Sequence, residues 1–214
     1  RQSIGKLRSD DADHHQRATG PAKPFEERGS RVKGIIFNVA ERVVSDRWDP
    51  ETWDAVLDRA GLVGAYSALG TYPDQDMVAI LRAAADTLGV PVAHVLRVVG
   101  RDGYQHLANR YPDLSSRYAS ARDVLLHLDQ VIHPQVKALN PEAIVPEFDA
   151  STAGNTVILR YRSERAMCHL AEGLVEGAAD AHGDIVRVTQ PTCRLNGDEE
   201  CVLHVTFEVP GLTS

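Results

Sequence analysis

Apolar side chains recur every three or four positions through the first two-thirds of the chain and at every second position in parts of the last third. Residues 34–44 carry Ile35, Ile36, Val39, Ala40 and Val43 at helical spacing. Asp49 followed by Pro50 reads as an N-cap with proline in the first helical position. The helix it opens runs through Trp53, Val56 and Leu57 and stops at Gly61. Asp74 is expected to cap a third helix bearing Val78, Ile80, Leu81 and Ala84, ending near Gly89. Pro91 opens a fourth, through Val95, Leu96, Val99, Tyr104 and Leu107 to about Arg110, with Gly100 and Gly103 interrupting it. Residues 120–139 form another helical stretch, with Val124, Leu125, Leu128 and Val131 on one face. Pro134 lies inside it; lacking an N–H and clashing with the preceding turn, it predicts a kink or break near His133.

The pattern then changes period. Residues 155–162 alternate around Val157, Leu159 and Tyr161 and predict a strand. Residues 165–181 return to helical spacing, with Met167, Leu170, Ala171, Leu174, Val175 and Ala178 on one face. Residues 184–192 and 201–209 read as two strands, with Asn196-Gly197 favouring a tight turn between them. The fold class expected is α+β, a helical N-terminal subdomain followed by a small antiparallel sheet with a long helix. Residues 1–31 mix Arg1, Lys6, Arg8 and Arg17 with Asp10, Asp11 and Asp13 and lack apolar periodicity, so a disordered tail is expected there. His14 and His15 belong to that solvated tail rather than to a metal-binding tract. The ordered domain is expected over 32–210, with Val32 as a valine-coded start and residues 1–31 outside the native protein.

Composition narrows the function. The 214-residue chain is 43% hydrophobic and 25% charged, ordinary for a globular protein and enough to bury a core around a cofactor-sized cavity. A net charge of −7 disfavours nucleic acid or an anionic membrane as partner. No apolar run approaches the roughly 18–20 residues of a membrane span, and no signal-peptide core is present, so a cytoplasmic protein is expected. Three cysteines fit a reducing compartment better than a disulfide scaffold. No Ser-His-Asp set, phosphate loop or carboxylate pair occurs in a fitting context, so no enzyme is expected.

Three features could carry chemistry. Among nine histidines, His133 stands out in Leu128-Asp129-Gln130-Val131-Ile132-His133-Pro134, apolar on one side and broken just after. A neutral imidazole there could ligate a metal or be a satisfied core histidine. In an extended segment Tyr161, Ser163 and Arg165 project to one face and present two hydroxyls with a guanidinium, a set that suits a carboxylate. A polar strand end accounts for it equally well, and Tyr118-Ala119-Ser120-Ala121-Arg122 shows how easily the pattern arises. Cys168, Cys193 and Cys201 supply three thiols, either part of a zinc site or unrelated buried groups.

Taken in order, these segments resemble the haem–nitric oxide/oxygen binding (H-NOX) family, in its stand-alone bacterial form related to the haem domain of soluble guanylate cyclase. Val32-Lys33-Gly34-Ile35-Ile36-Phe37-Asn38 is similar to the family's opening, and Asp129-Gln130-Val131-Ile132-His133 to the segment bearing the proximal iron ligand. The stretch 141–146 resembles the proline-bearing segment that follows. Tyr161-x-Ser163-x-Arg165 resembles the propionate-binding motif, and residues 170–177 the next helix. The resemblance implies haem b buried between the helical part and the sheet, five-coordinate through His133. It implies Tyr161, Ser163 and Arg165 on the propionates and Pro146 pressing on the ring.

The same resemblance assigns the distal side to Ile36, Ala40, Gly103, Leu107, Leu170 and Leu174. Oxygen-binding members carry a tyrosine donor where this chain has Leu170, and none of the six side chains is a donor. This implies a sensor for nitric oxide, also taking carbon monoxide, that excludes oxygen. Release of His133 on nitric oxide binding is the implied switch, with Pro134 as a departure from the expected neighbour of that histidine. Output would pass to a separate protein, a histidine kinase or a cyclic-di-GMP enzyme. Cys168, Cys193 and Cys201 match three of four positions of a zinc or redox site found in some members, and Gln190, a poor zinc ligand, stands at the fourth. A Cys193–Cys201 disulfide is the redox version. The rival readings are a haem-free module for a small apolar ligand and a zinc- or thiol-based interaction domain.

Overall fold

Capping chemistry accounts for where the first helices begin and end. In the computed structural model, which describes residues 31–208 apart from 140 and 142, helix α1 spans Gly34–Arg47 and α2 spans Pro50–Ala60. Asp49 Oδ1 accepts a 2.6 Å hydrogen bond from the Thr52 backbone N–H, with Pro50 in the first turn, and Gly61 ends the helix at φ +69°. Helix α3, Asp74–Leu88, ends on Gly89 at φ +67°, and α4, Val92–Arg110, follows Pro91. Glycines 100 and 103 do not break α4. The tail expected over 1–31 lies outside the described residues except for Arg31. That residue opens strand β1, Arg31–Lys33, which pairs antiparallel with β2, Thr71–Pro73. Both strands are too short to leave a periodic signal.

The long helical stretch expected over 120–139 is broken into several pieces. After the one-turn α5, Pro112–Ser115, comes α6, Ala121–Leu126, capped by the Ser120 hydroxyl, which accepts from the Asp123 N–H at 3.1 Å. A π turn, Leu128–Ile132, precedes α7, His133–Leu139. In the π turn both Val131 and Ile132 donate their N–H to the His127 carbonyl at 3.0 Å. The irregularity therefore sits before His133, and Pro134 falls in the first turn of α7, where a missing N–H breaks no helical bond.

The sheet is antiparallel, in the order β3 (Glu147–Ala153), β4 (Thr156–Arg162), β6 (Cys201–Phe207), β5 (Val186–Thr192). Strand β3 was absent from the sequence reading. Helix α8, Cys168–His182, begins three residues later than the periodicity predicts, because Ser163 to Met167 form a turn with Ala166 at φ +49°. The turn before β6 is a short 3₁₀ segment, Arg194–Asn196, closed by Gly197 at φ +99°, so only the glycine takes positive φ.

Two apolar cores result. One gathers α1 to α4 around Phe37, Val43, Val56 and Ile80, and the other fills the sheet face with Val157, Leu159, Leu203 and Val205. Helix α8 lies between them, packing Ala171 and Val175 into the sheet core while running alongside α4. A Cβ on Gly173 or Gly177 would collide with the α4 backbone at Arg97 and Arg101, so these glycines set a very short interhelical distance. Outside the contact, Arg97 pairs with Glu176 and Arg101 with Asp180. Among the described residues no single helix is long and apolar enough to cross a membrane; α3 and α4 satisfy length and composition only as a pair bent by 105°.

Candidate functional site

Between the two cores lies a cavity of about 360 Å³, within the range of small-ligand and cofactor pockets. Four walls enclose it. The face of α4 formed by Tyr104, Leu107, Ala108 and Tyr111, at helical spacing, meets the α8 face of Leu170, Ala171, Leu174, Val175 and Ala178. Ile35 and Ile36 of α1 close one end. Opposite stand Leu128, Ile132, His133 and Val136, backed by the loop from Ala143 to Pro146 and by Phe148.

His133 is held at the start of α7 with its ring 5.7 Å from that of Phe148, and its side chain is 15% exposed. Asp129 Oδ1, one turn earlier, is 3.5 Å from Nδ1, at the outer limit of a hydrogen bond. The buried Nδ1 has no hydrogen-bond partner among the described residues. Burial pushes the imidazole pKa below its ordinary value, and the Asp129 carboxylate pulls it partly back. The ring is thus kept in the neutral form that ligates metals.

The polar corner is built from the end of β4 and the turn after it. Tyr161, Ser163 and Arg165 all line the cavity, but only Tyr161 belongs to the strand; the turn over Ser163 to Met167, not the expected alternation, brings Arg165 to it. Burial pushes the Tyr161 phenol up, with the Ser163 side chain and the Met167 backbone opposing it. Arg165 is the most heavily engaged. Its Nε donates to Asp74 Oδ2 at 2.9 Å, one terminal nitrogen to the Ile144 carbonyl at 2.9 Å and the other to the Arg31 carbonyl at 2.7 Å. Its backbone N–H meets Ser163 Oγ at 3.2 Å. Pro146 is in the same wall.

The remaining expected positions divide. Ile36, Leu107, Leu170 and Leu174 line the cavity, but Ala40 and Gly103 do not. Ala40 is 2% exposed within the helical core, and a Cβ on Gly103 would face Val39 of α1 at 2.6 Å. The cavity takes the neighbouring face of α4, so Tyr104 stands where Gly103 was expected. The wall is therefore not free of hydroxyls, since Tyr104, Tyr111 and Tyr118 join it. Their spacing to Leu107 along α4 was the signal available for the first two. Tyr104 packs with Ala121 and Ala178, whereas Leu170, Leu107 and Ile36 pack against the helical core.

The three cysteines do converge. Cys168, Cys193 and Cys201 are buried with their sulfurs within 4.8 Å of one another, and Cys168 and Cys193 are 3.6 Å apart. Cys168, at the start of α8, thus stands nearer to Cys193 than the expected cross-strand pairing alone suggests. Burial pushes the Cys168 thiol up to about 12. Gln190 Nε2 is buried with no partner among the described residues. Three thiols fall one ligand short of a closed structural zinc set, and an amide nitrogen does not complete it.

Comparison with known proteins fits this geometry. A family model described as haem-NO-binding matches residues 33–190. No curated protein matches the chain. Among solved structures, an H-NOX protein from S. oneidensis in the Fe(II) state is 27% identical with a TM-score of 0.79, covering 86% of this chain and 100% of its own. The same protein's Fe(II)NO state gives 27% identity, a TM-score of 0.78, and 83% and 100% coverage. The unliganded Fe(II) H-NOX protein from K. algicida, 22% identical, covers 86% and 100% at a TM-score of 0.76 and shows the shared fold.

Proposed function

The chain belongs to the haem-NO-binding family of gas-sensing haem domains, and from that premise we propose that it holds ferrous haem b through His133 and senses nitric oxide without retaining oxygen. One observation carries the reading. The buried imidazole of His133, its Nδ1 turned towards Asp129, lines an apolar cavity whose polar corner is Tyr161, Ser163 and Arg165. That donor set fits haem, with an apolar body for the ring, an imidazole for the iron, and hydroxyls with a guanidinium for the propionates. The bound group would supply the iron that takes the diatomic ligand.

The chain's own residues do the rest. His133 would supply the imidazole that holds the iron, kept neutral by burial, with the Asp129 carboxylate 3.5 Å from its Nδ1 one turn earlier. Arg165, Ser163 and Tyr161 would hold the carboxylates of the group, and Pro146 would lie against it from the same wall. Leu170 shares the cavity wall with Ile36, Leu107 and Leu174, none of which donates a hydrogen bond. Stable oxygen retention calls for such a donor, whereas nitric oxide and carbon monoxide bind without it. Tyr104, which packs by Ala121 and Ala178, shares that cavity wall one turn from Leu107. Signal output to a separate partner, a histidine kinase or a cyclic-di-GMP enzyme, completes the proposal.

The test is an absorption spectrum of the reduced protein, first under argon, then with nitric oxide, then in air. The proposal expects a strong Soret band that shifts with nitric oxide and carbon monoxide. A stable oxygen complex would overturn the selectivity, and a colourless protein that rejects added haemin would overturn the cofactor itself.

A further inference from the structure

We propose that Asp74 is a positioning residue that presets the Arg165 guanidinium for the haem propionates; this rests on the proposed haem function. Asp74 stands first in α3, one residue after the Pro73 cap position. Its carboxylate turns to a residue 91 positions away, taking the Arg165 Nε hydrogen at 2.9 Å. The two side chains are only 10% and 15% exposed, and Asp74 Oδ1 is buried with no partner among the described residues. A first-turn carboxylate suits the helix dipole when hydrated, but this one is buried, so the ion pair with Arg165 accounts for its placement.

The surroundings point to the role. Asp74 is not in the cavity lining, whereas Arg165 is, together with both segments its terminal nitrogens reach, at Arg31 and Ile144. Ala166, immediately after Arg165, is the non-glycine residue at positive φ among those described, so the turn presenting the arginine is itself strained. A long flexible side chain grips a carboxylate best when its rotamer is fixed beforehand. The hydrogen bond from Nε to Asp74 does that together with the carbonyls of Ile144 and Arg31, each of which takes one hydrogen of a terminal nitrogen at the cavity edge.

The experiment measures haem transfer from the holoprotein to an excess of a haem-scavenging apoglobin. A charge-assisted hydrogen bond of this kind predicts that Asp74→Ala speeds haem loss about tenfold. Asp74→Asn, which keeps the acceptor and discards the charge, restores the rate to within about threefold of wild type. In an Arg165→Ala background, Asp74→Ala adds nothing. If Asp74→Ala does not fold, Asp74→Ser replaces it, suiting a helix start but too short to reach Nε. Melting of the apoproteins separates retention from stability, since a merely structural ion pair lowers the apoprotein melting point in step with the faster haem loss, whereas a positioning residue leaves it nearly unchanged. A wild-type rate in the alanine and serine variants, Asn as fast as Ala, or an undiminished effect without Arg165 overturns the assignment alone. A wild-type chain that takes up no haem overturns the assignment and the haem reading together.

Discussion

The contact between α4 and α8 sets the width of the cavity, and Gly177→Ala tests it. A Cβ at residue 177 would stand 2.6 Å from Tyr104 Cβ, 3.1 Å from the Arg101 carbonyl carbon, and overlap the Arg101 carbonyl oxygen. Carbon atoms in good contact lie at about 3.5–4.0 Å, so the shortfall against Tyr104 is about 0.9–1.4 Å. Both colliding groups are backbone or attached directly to it, so no side-chain rotation relieves the overlap. Such overpacking typically costs about 1–3 kcal/mol, and collision with a carbonyl places this case near the upper end. Replacing a mid-helix glycine by alanine returns about 1 kcal/mol of helix propensity. The net expectation is a loss of about 2 kcal/mol, or about 1 M in the urea midpoint at a slope of about 2 kcal/mol/M.

The cavity should register the same shift. Tyr104 on α4 and Ala178 on α8 both line it, so parting the helices widens that wall and weakens ligand retention. Gly89→Ala is the control. It has open space around the new Cβ but sits at φ +67°, so it should lose about 1 kcal/mol through backbone strain and leave haem retention unchanged. Urea unfolding followed by circular dichroism, with haem release measured alongside, decides the matter. A Gly177→Ala protein as stable as wild type, with unchanged haem release, would refute the packing argument.

Three further expectations follow from the geometry. Leu170→Tyr places a hydroxyl beside Ile36, Leu107 and Leu174, and the reduced variant should hold an oxygen complex in air that wild type lacks; identical aerobic spectra would count against the proposed selectivity. Asp49→Ala removes the acceptor for the Thr52 N–H at 2.6 Å and should cost about 1 kcal/mol in urea unfolding without altering the haem spectrum. Cys168 is held protonated by burial, its pKa pushed up to about 12. The unfolded thiol ionises near its ordinary value of 9.0 while the folded one does not. Its contribution is therefore complete below pH 9 and is lost as pH rises from 9 towards 12, by up to about 1.4 kcal/mol per pH unit. Iodoacetamide should label Cys168 at pH 8 only after denaturation, and rapid labelling of the native protein would contradict this.

What could be read from the chain beforehand follows from the range of the forces involved. Asp49, Pro50 and Gly61 act within one turn, and the helix they bound appears where they place it. Tyr161, Ser163 and Arg165 do share the cavity, but the extended segment expected to align them ends at Arg162, and a turn rather than alternation delivers Arg165. Strand β3 escaped because it is an edge strand, Glu147–Ala153, exposed at every second position and beyond, with Phe148 as its one large apolar side chain. Its existence depends on pairing with β4, which no periodicity within 147–153 encodes. Asp74 misled by following a sound local rule: in a sequence window it is a cap, and only the fold brings Arg165 within 2.9 Å to claim its carboxylate. Pro134 correctly signalled irregularity, but the chain resolved it upstream as the π turn at Leu128–Ile132, which lets the proline occupy a first turn. The distal wall shows the limit of assigning faces by resemblance. One residue along a helix is about 100° of rotation, enough to exchange Gly103 for Tyr104. The pattern of departures is physical: short-range caps and alternation survive folding, and contacts between distant segments override them at the edges of the cavity, where the chain's chemistry is concentrated.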